Sequence, residues 1–239
     1  MNGRVRASID VAFTPRMARP TQVAVVVDVL RASSTIVAAL EAGYRSVLCT
    51  RTEERARELA GPGRRLAGER GCVAIEGFDR GNSPVFDGRD GAQELVLCTT
   101  NGTPALLRAL SRAREVLVGS LLNLEALVDA VPVDRAVTVI CSGTDGRFAL
   151  EDTHAAGRIV ARLAGPRSDA ARAAERLAEA YPDPGEALAE SAGAAALRAT
   201  GQASDIAFCA RESVSALVPR AVGGRGDIAV VSAEASNKG

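Results

Sequence analysis

Runs of apolar, mostly β-branched residues alternate along the chain with segments of helical periodicity. The run V-A-V-V-V-D-V predicts a buried strand at about 23–29, and the pattern after it predicts a helix at about 33–42 that ends at Gly43. Further strands are predicted at 46–50, 94–100, 115–119, 136–144 and 227–232, and a helical pattern follows each of the first four. This alternation predicts a three-layer α/β/α sandwich with a largely parallel or mixed sheet.

Three other segments complete the predicted domain. Alternating polar and apolar residues at 4–13 predict a half-buried edge strand. Residues 65–82 are rich in glycine and charge, so we expect a long, structured loop after a short strand. An Ala- and Arg-rich stretch predicts two or three surface helices at 168–200, and a short helix is predicted at 204–211. We expect a single domain over 1–239, with a helical segment at about 165–212 and a frayed tail at 234–239.

Polar, helix-starting loops follow three of the predicted strands. Their sequences are D-V-L-R-A-S-S-T, C-T-T-N-G-T-P and C-S-G-T-D-G-R-F. Ligands of open α/β sheets bind beyond the carboxyl ends of the strands, so these loops would converge if their strands are neighbours. Asp28, in the first loop, ends an apolar strand and needs a partner or a metal ion, because an unpaired buried charge is costly. Together with the glycine-rich loop, the pattern predicts a site for a small anionic ligand.

Composition narrows the classes of partner. The 29 basic and 29 acidic residues cancel, and the chain has no Trp and few other aromatic residues, so we expect no nucleic-acid or membrane partner. We find no apolar run near the length of about 20 residues that a membrane span needs, and no signal-peptide pattern at the N-terminus. We therefore expect a cytoplasmic protein. Whether it is a monomer or a homodimer is left open.

Cysteine and lysine usage restricts the chemistry. The five cysteines form no C-x-x-C pair, and we expect most of them to be reduced and buried. The only lysine is Lys238, which excludes a phosphate-loop or Schiff-base lysine in the folded site. Cationic recognition must therefore come from arginine, which binds phosphate, sulfonate and carboxylate groups through paired hydrogen bonds.

The predicted loops carry acidic residues that suit Mg2+. The ion prefers one or two carboxylates, with water and substrate oxygens completing its shell. Asp28 with Glu69 or Asp152 would supply such a pair, and Glu151 is a further candidate ligand. Ordinary explanations stay open: Glu151 and Asp152 also suit a helix N-terminus, Glu69 could be a solvated loop charge, and Asp28 could pair with an arginine.

Candidate anion-binding groups lie on the same loops. Arg31, Arg70 and Arg147 are possible clamps, although each could instead pair with a nearby acid. Asn101 and Gly102, next to Thr100, would form a tight turn whose amides face the ligand, or an ordinary Asn-Gly turn. His154, the only histidine, is interpreted as a packed or helix-surface residue rather than a catalyst.

A cysteine-dependent mechanism is an alternative to a metal-dependent one at such an anion site. Cys141 and Arg147 flank the loop C-S-G-T-D-G-R between a strand and a helix, as in phosphatases that place a thiolate beneath a phosphate cradle. Asp145 inside the loop and Phe148 after it do not suit that cradle. A non-catalytic anion-binding protein is the alternative from another class.

Four sequence blocks resemble the 2-phosphosulfolactate phosphatase family, the ComB-like proteins. They are V-V-V-D-V-L-R-A-S-S-T-I-V, G-E-R-G-C-V-A-I-E-G-F-D-R-G-N-S-P, C-T-T-N-G-T-P-A-L and C-S-G-T-D-G-R-F-A-L-E-D-T. Their order and spacing match the family, and weaker similarity extends from near residue 5 to about 231.

The resemblance implies a Mg2+-dependent acid phosphatase with an α/β/α fold. Its reaction would convert 2-phospho-3-sulfolactate to sulfolactate and phosphate, a step in coenzyme M synthesis. Carried over to this chain, the motifs point to Asp28, Arg31, Ser33, Glu69, Arg70, Asn82, Asn101, Glu151 and Asp152. The chain departs from the family pattern at Cys72, where glycine is usual, and at His154 and Ala155, which replace an apolar residue and a cysteine.

Overall fold

The computed structural model describes residues 8–87, 91–223 and 227–233. The strands are β1 (Ile9–Ala12), β2 (Thr21–Val27), β3 (Ser46–Thr50), β4 (Arg64–Arg70), β5 (Val73–Ala74), β6 (Glu94–Cys98), β7 (Ala113–Gly119), β8 (Val137–Cys141), β9 (Arg220–Gly223) and β10 (Ala229–Ser232). The helices are α1 (Ala32–Glu41), α2 (Glu53–Glu58), α3 (Gly102–Leu110), α4 (Leu124–Ala130), α5 (Leu150–Arg162), α6 (Asp169–Ala180), α7 (Pro184–Ala189), α8 (Ala192–Ala199) and α9 (Ser204–Cys209), with short 3-10 helices at Pro15–Met17 and Leu121–Asn123.

The strands form one mixed sheet in the order β1-β8-β2-β7-β9-β10-β3-β6-β4-β5. Strands β1, β8, β2 and β7 are parallel, and β3, β6 and β4 form a second parallel group. The antiparallel strands β9 and β10 join the two groups. The predicted α/β architecture with a mixed sheet is therefore confirmed.

Helices cover both faces of the sheet. On one face, Ile36 of α1 and Leu106 of α3 pack with residues of both parallel groups into a buried apolar cluster. On the other, Leu127 of α4 and Ile159 of α5 pack against Val25 and its neighbours. Burial of these apolar stripes is the main stabilising term for such a layered fold. Among the described residues, none of the helices combines the length and apolarity needed to cross a bilayer.

The two parallel groups run in opposite directions along the sheet, because three successive antiparallel pairings separate β7 from β3. In a flat sheet their carboxyl ends would lie at opposite edges. Gly102, after β6, nevertheless touches Asp28, after β2. The ends of β2 and β6 therefore meet, although the two parallel groups run in opposite directions. The three polar loops were expected to converge if their strands are neighbours; only β2 and β8 are neighbours, yet residues of all three loops line one cavity.

The structure differs from the predicted strands at two places. The stretch expected to be mainly loop contains the seven-residue strand β4, because Leu66 and Ala67 are buried and the strand pairs with β6. Gly68 is needed there, since a Cβ atom would lie 2.5 Å from the carbonyl oxygen of Cys98. Strand β9 was missed because it is only four residues long and lacks regular alternation. The predicted strand residues 4–7 and the tail at 234–239 lie outside the described residues.

Candidate active site

Asp28 lies at the carboxyl end of β2 and begins the turn into α1. Its Oδ1 atom accepts a hydrogen bond from the amide of Ala32 at 3.0 Å. Ser33 closes the same turn, because its hydroxyl donates to the carbonyl oxygen of Asp28 at 2.8 Å. The predicted ligand Ser33 is thus buried and serves the local backbone. The Oδ2 atom of Asp28 accepts no hydrogen bond from the described residues and faces the first residue of α3, Gly102.

Burial changes the acidity of Asp28. The pKa of its carboxyl is raised from 3.8 to about 7, chiefly by desolvation and also by the charges of Glu69 and Glu151. The hydrogen bond from the amide of Ala32 and the charge of the Arg31 guanidinium oppose this rise. A carboxyl group buried near other acids and without a fully compensating cation favours its protonated form.

Glu69 lies in β4, a strand of the second parallel group, and its carboxylate lies near that of Asp28. Its Oε1 atom accepts hydrogen bonds from both the amide and the hydroxyl of Thr100 at 3.0 Å. Its Oε2 atom accepts one from the amide of Cys72 at 3.0 Å. Three donors therefore fix the carboxylate, and the predicted ligand Thr100 acts on Glu69. Cys72 adopts φ 68° in this turn, a conformation that favours glycine.

A cavity of about 90 Å³, here called the acidic cavity, joins these groups. It is lined by Asp28, Leu30, Arg31, Glu69, Cys72, Asn82, Thr99, Asn101, Thr144, Ala192, Gly193 and Ala196. A second cavity of about 520 Å³, the outer cleft, shares Thr144 and Ala192 with it. Arg147, Asp145, Glu151 and Glu190 lie in the lining of the outer cleft. The two cavities are therefore adjacent.

Asn82 and Asn101 line the acidic cavity, and Gly102 lies beside it; that they bind substrate stays a prediction. The Oδ1 atom of Asn82 is buried and has no hydrogen-bond partner among the described residues. Asn101 joins two loops, because its Oδ1 atom accepts from the amide of Asp145 at 3.1 Å. Gly102 starts α3, so its amide is one of the groups that an α-helix leaves without an internal partner.

Asp152 lies behind the acidic cavity rather than in its lining. Its Oδ1 atom accepts from the amide of Val29 at 2.9 Å, and its Oδ2 atom accepts from the amide of Gly143 at 2.9 Å. It thereby connects the loops that follow β2 and β8. Burial raises the pKa of Asp152 well above its ordinary value, and the charges of Asp28 and Glu151 raise it further, against those two amides.

Glu151 lies beside the N-terminus of α8. A Cβ atom on Gly193 would lie 2.4 Å from its Oε1 atom, so this contact requires glycine. Burial raises the pKa of Glu151, and hydrogen bonds from its own amide and from the Ser191 hydroxyl oppose the rise.

The three predicted arginine clamps occupy different environments. Arg31 is buried in the lining of the acidic cavity and forms an ion pair with Asp205 at 2.6 Å. Arg70 points away from this cavity, towards the carbonyl oxygen of Arg51 at 3.0 Å and the carboxylate of Glu53 at 3.4 Å. Arg147 is exposed in the outer cleft. Of the three, Arg31 alone therefore reaches the acidic cavity.

Cys141 does not suit the thiolate mechanism considered as an alternative. The side chain is fully buried at the end of β8 and does not line the acidic cavity, whereas Arg147 is exposed. Burial raises the pKa of Cys141 well above its ordinary value, and Asp152 raises it further. A nucleophilic cysteine needs the opposite shift. His154 is also fully buried, with its Nε2 atom 3.1 Å from the carbonyl oxygen of Tyr181.

Gln202 and Asp205 belong to the neighbourhood of the cavity but were not predicted from the sequence. They lie in the C-terminal helical segment and contact Arg31. Asp205 falls in the first turn of a short helix, where an acid is ordinary, so its sequence position gave no signal.

The residues of the acidic cavity fit a hard cation such as Mg2+. In the described part of the chain, no three His, Cys, Asp or Glu side chains are arranged to hold a metal ion, so the four predicted carboxylates do not form one cluster. Mg2+ needs only one or two carboxylates when water and substrate supply the rest. Oδ2 of Asp28 and the buried Oδ1 of Asn82 accept no hydrogen bond from any of the described residues. Both oxygens suit a cation.

Fold and site together define an α/β protein with an acidic, helix-flanked cavity whose free oxygens suit a hard cation. Comparison with known sequences then gives the family. The family model described as 2-phosphosulpholactate phosphatase matches residues 11–224, and the chain belongs to the 2-phosphosulfolactate phosphatase family. This membership makes it a phosphatase, a phosphoric monoester hydrolase.

Similar proteins from three bacteria carry the name "probable 2-phosphosulfolactate phosphatase". The one from Deinococcus radiodurans is 43% identical over 202 residues, covering 80% of this chain and 84% of its own. The one from Thermotoga petrophila is 38% identical, covering 85% and 91%. The one from Thermus thermophilus is 37% identical, covering 87% and 90%.

Proposed function

We propose that this phosphatase hydrolyses 2-phospho-3-sulfolactate, or a similar small anionic phosphomonoester, with Mg2+ as its cofactor. One observation carries the proposal: two oxygens that receive no donor from the described residues, Oδ2 of Asp28 and Oδ1 of Asn82, belong to one cavity, beside Glu69 and Arg31. The names of the relatives supply the substrate.

Charge balance supports a cation in this cavity. Asp28 and Glu69 bring two carboxylates, while the charge of Arg31 is offset by Asp205. A phosphate dianion would meet net negative charge there and would be repelled. Asp28, Asn82 and Glu69 would hold Mg2+, which when bound neutralises charge on the phosphate oxygens.

The protein groups would bind and orient the phosphate. Arg31 supplies guanidinium donors, and the amide of Gly102 at the N-terminus of α3 supplies a further donor and the positive end of a helix dipole. Thr100 and Cys72 hold Glu69 in one orientation. Such preorganised groups lower the barrier by positioning and electrostatic stabilisation.

Asp28 has two roles open to it. Its free oxygen would either bind the cation or attack phosphorus, and both roles would require the ionised carboxylate. Direct attack by water and an acyl-phosphate intermediate are both compatible with this geometry.

The remainder of the substrate would extend into the outer cleft. The acidic cavity is small, at about 90 Å³, whereas the outer cleft is about 520 Å³. Arg147 is the arginine of that cleft and would receive the second anionic group, alongside the acids Asp145, Glu151 and Glu190.

Phosphate release from a panel of substrates tests this proposal. The panel contains 2-phospho-3-sulfolactate and small phosphomonoesters that lack the sulfonate, each assayed with Mg2+ and with EDTA, for the wild type and for Cys141→Ser. We expect release that requires Mg2+, is fastest with phosphosulfolactate and is retained in Cys141→Ser. Activity that survives EDTA but is lost in a folded Cys141→Ser protein would instead support Cys141. Ligand-induced thermal stabilisation without any phosphate release would support a binding protein.

A further inference from the structure

The C-terminal helical segment covers the acidic cavity. Ala192, Gly193 and Ala196 of α8 contribute to its lining, and the chain continues through Gln202 into α9. Small residues allow α8 to approach closely, as the contact between Gly193 and Glu151 shows. The cavity is therefore completed by a segment whose sequence predicted only surface helices.

Two side chains of this segment hold Arg31. The Nη1 atom of Arg31 donates to Oδ2 of Asp205 at 2.6 Å and also to Oε1 of Gln202. Its Nη2 atom donates to the carbonyl oxygen of Cys72 at 3.3 Å, which also accepts from Nε2 of Gln202. Gln202 thus bridges Arg31 and Cys72, whose amide donates to Glu69.

The pair between Arg31 and Asp205 is buried, with side-chain exposures of 1% and 4%. The second oxygen of Asp205 accepts from the hydroxyl of Ser83 at 2.8 Å. Separating the two side chains would leave a buried charge without a partner, which costs free energy. The ion pair therefore holds both side chains in place. Three chain segments are joined here: the turn after β2, the loop after β5 and the start of α9.

The guanidinium keeps donors for a ligand. A guanidinium carries five N–H groups, and the contacts with Asp205, Gln202 and Cys72 use three of them. The other two have no partner in the part of the chain that the structure describes. Asp205 therefore holds Arg31 without occupying all of its donors.

We propose that Asp205 is a positioning residue, which fixes the Arg31 guanidinium in the acidic cavity so that its remaining N–H groups bind the substrate phosphate. Gln202 assists by holding the same group against the Cys72 carbonyl. This inference rests on the proposed phosphatase function. It extends the catalytic unit to α9, outside the four family sequence blocks.

A double-mutant cycle tests the proposal. Steady-state phosphate release is measured for the wild type, Asp205→Asn, Arg31→Gln and the double variant, with Mg2+ present. Because Asp205 acts through Arg31, we expect Asp205→Asn alone to lower kcat by up to about 100-fold, with a smaller change in KM. In the Arg31→Gln background the same change should have almost no further effect. Glu179→Gln, an exposed acid-to-amide change in the same segment, should leave kcat and KM unaltered.

Folding is monitored separately by circular dichroism and thermal unfolding, so that a loss of folded protein is not counted as a loss of turnover. If Asp205→Asn is inactive because it does not fold, Asp205→Glu, which retains the charge, must recover part of the wild-type kcat. Equal fold-reductions in both backgrounds, or full activity in Asp205→Asn, would overturn the positioning role. A wild-type protein without phosphatase activity would instead overturn the proposed function, and this inference with it.

Discussion

A methyl group on Gly102 would lie 2.7 Å from Oδ2 of Asp28 and 2.5 Å from Cβ of Ala32. The first residue of α3 therefore contacts both the catalytic candidate and the start of α1. Only glycine allows this approach without displacing one of the helices. The contact joins the two parallel groups of the sheet at the acidic cavity.

Gly102→Ala should therefore damage both stability and activity. The added methyl group forces α1 and α3 apart, and overpacking of this kind costs about 1–3 kcal/mol. Urea unfolding measures the cost, and phosphate release should fall because Asp28 is displaced. Gly61→Ala is the matched control, since a Cβ atom at Gly61 would meet none of the described residues within 4 Å. A Gly102→Ala protein as stable and active as this control would contradict the predicted steric role.

Asp152 should prove structural rather than a Mg2+ ligand. Asp152→Ala leaves the buried amides of Val29 and Gly143 without their acceptor, which should lower the free energy of unfolding by about 2–5 kcal/mol. Urea unfolding with and without Mg2+ checks this, with the exposed Asp129→Ala as control. We expect the stabilisation by Mg2+ to persist in Asp152→Ala. Unchanged stability without Mg2+ combined with loss of the Mg2+ effect would show that Asp152 binds the metal.

The raised pKa of Asp28 predicts a pH dependence of stability in metal-free protein. The pKa is about 7 in the folded chain against 3.8 for the ordinary group, so folded protein binds the proton more tightly. The resulting penalty is absent below about pH 4, grows as the pH rises and is complete above about pH 7. Asp28→Asn should remove it.

In EDTA at pH 8, Asp28→Asn should therefore unfold with a free energy about 1–4 kcal/mol higher than that of the wild type. The difference should shrink towards pH 4, which urea titrations at several pH values measure. Parallel pH profiles for the two proteins would show that Asp28 is not desolvated in the folded state.

The sequence located the centre of the site through local signals. Asp28 stood out as a carboxylate at the end of an apolar strand, and Asn101 and Gly102 lay at a strand-to-helix turn. Both signals depend only on residues that are adjacent in the sequence, so they can be recognised without knowing the tertiary structure. The orientation of Arg70 was missed because the segment was expected to be a loop. In strand β4, alternation places Glu69 and Arg70 on opposite sides.

Other parts of the site depend on tertiary packing alone. Asp205 and Arg31 are separated by more than a hundred residues in the chain, and nothing in the composition of α9 marks it as a neighbour of Arg31. Asp152 carried the signal of a helix N-terminus, and only the fold shows that its two oxygens bind amides from two loops. Hydrogen-bond partners of this kind follow from the packed fold and are not marked by local sequence.

The turnover of Asp28→Asn tests the central claim most directly. Phosphate release from 2-phospho-3-sulfolactate is measured for this variant and the wild type at saturating Mg2+, with circular dichroism as the control for folding. Because asparagine supplies neither a strong metal ligand nor a carboxylate nucleophile, we predict a loss of kcat of about 1,000-fold or more in a folded protein. A variant that retains near-normal kcat would contradict the account and return Asp28 to a purely structural role.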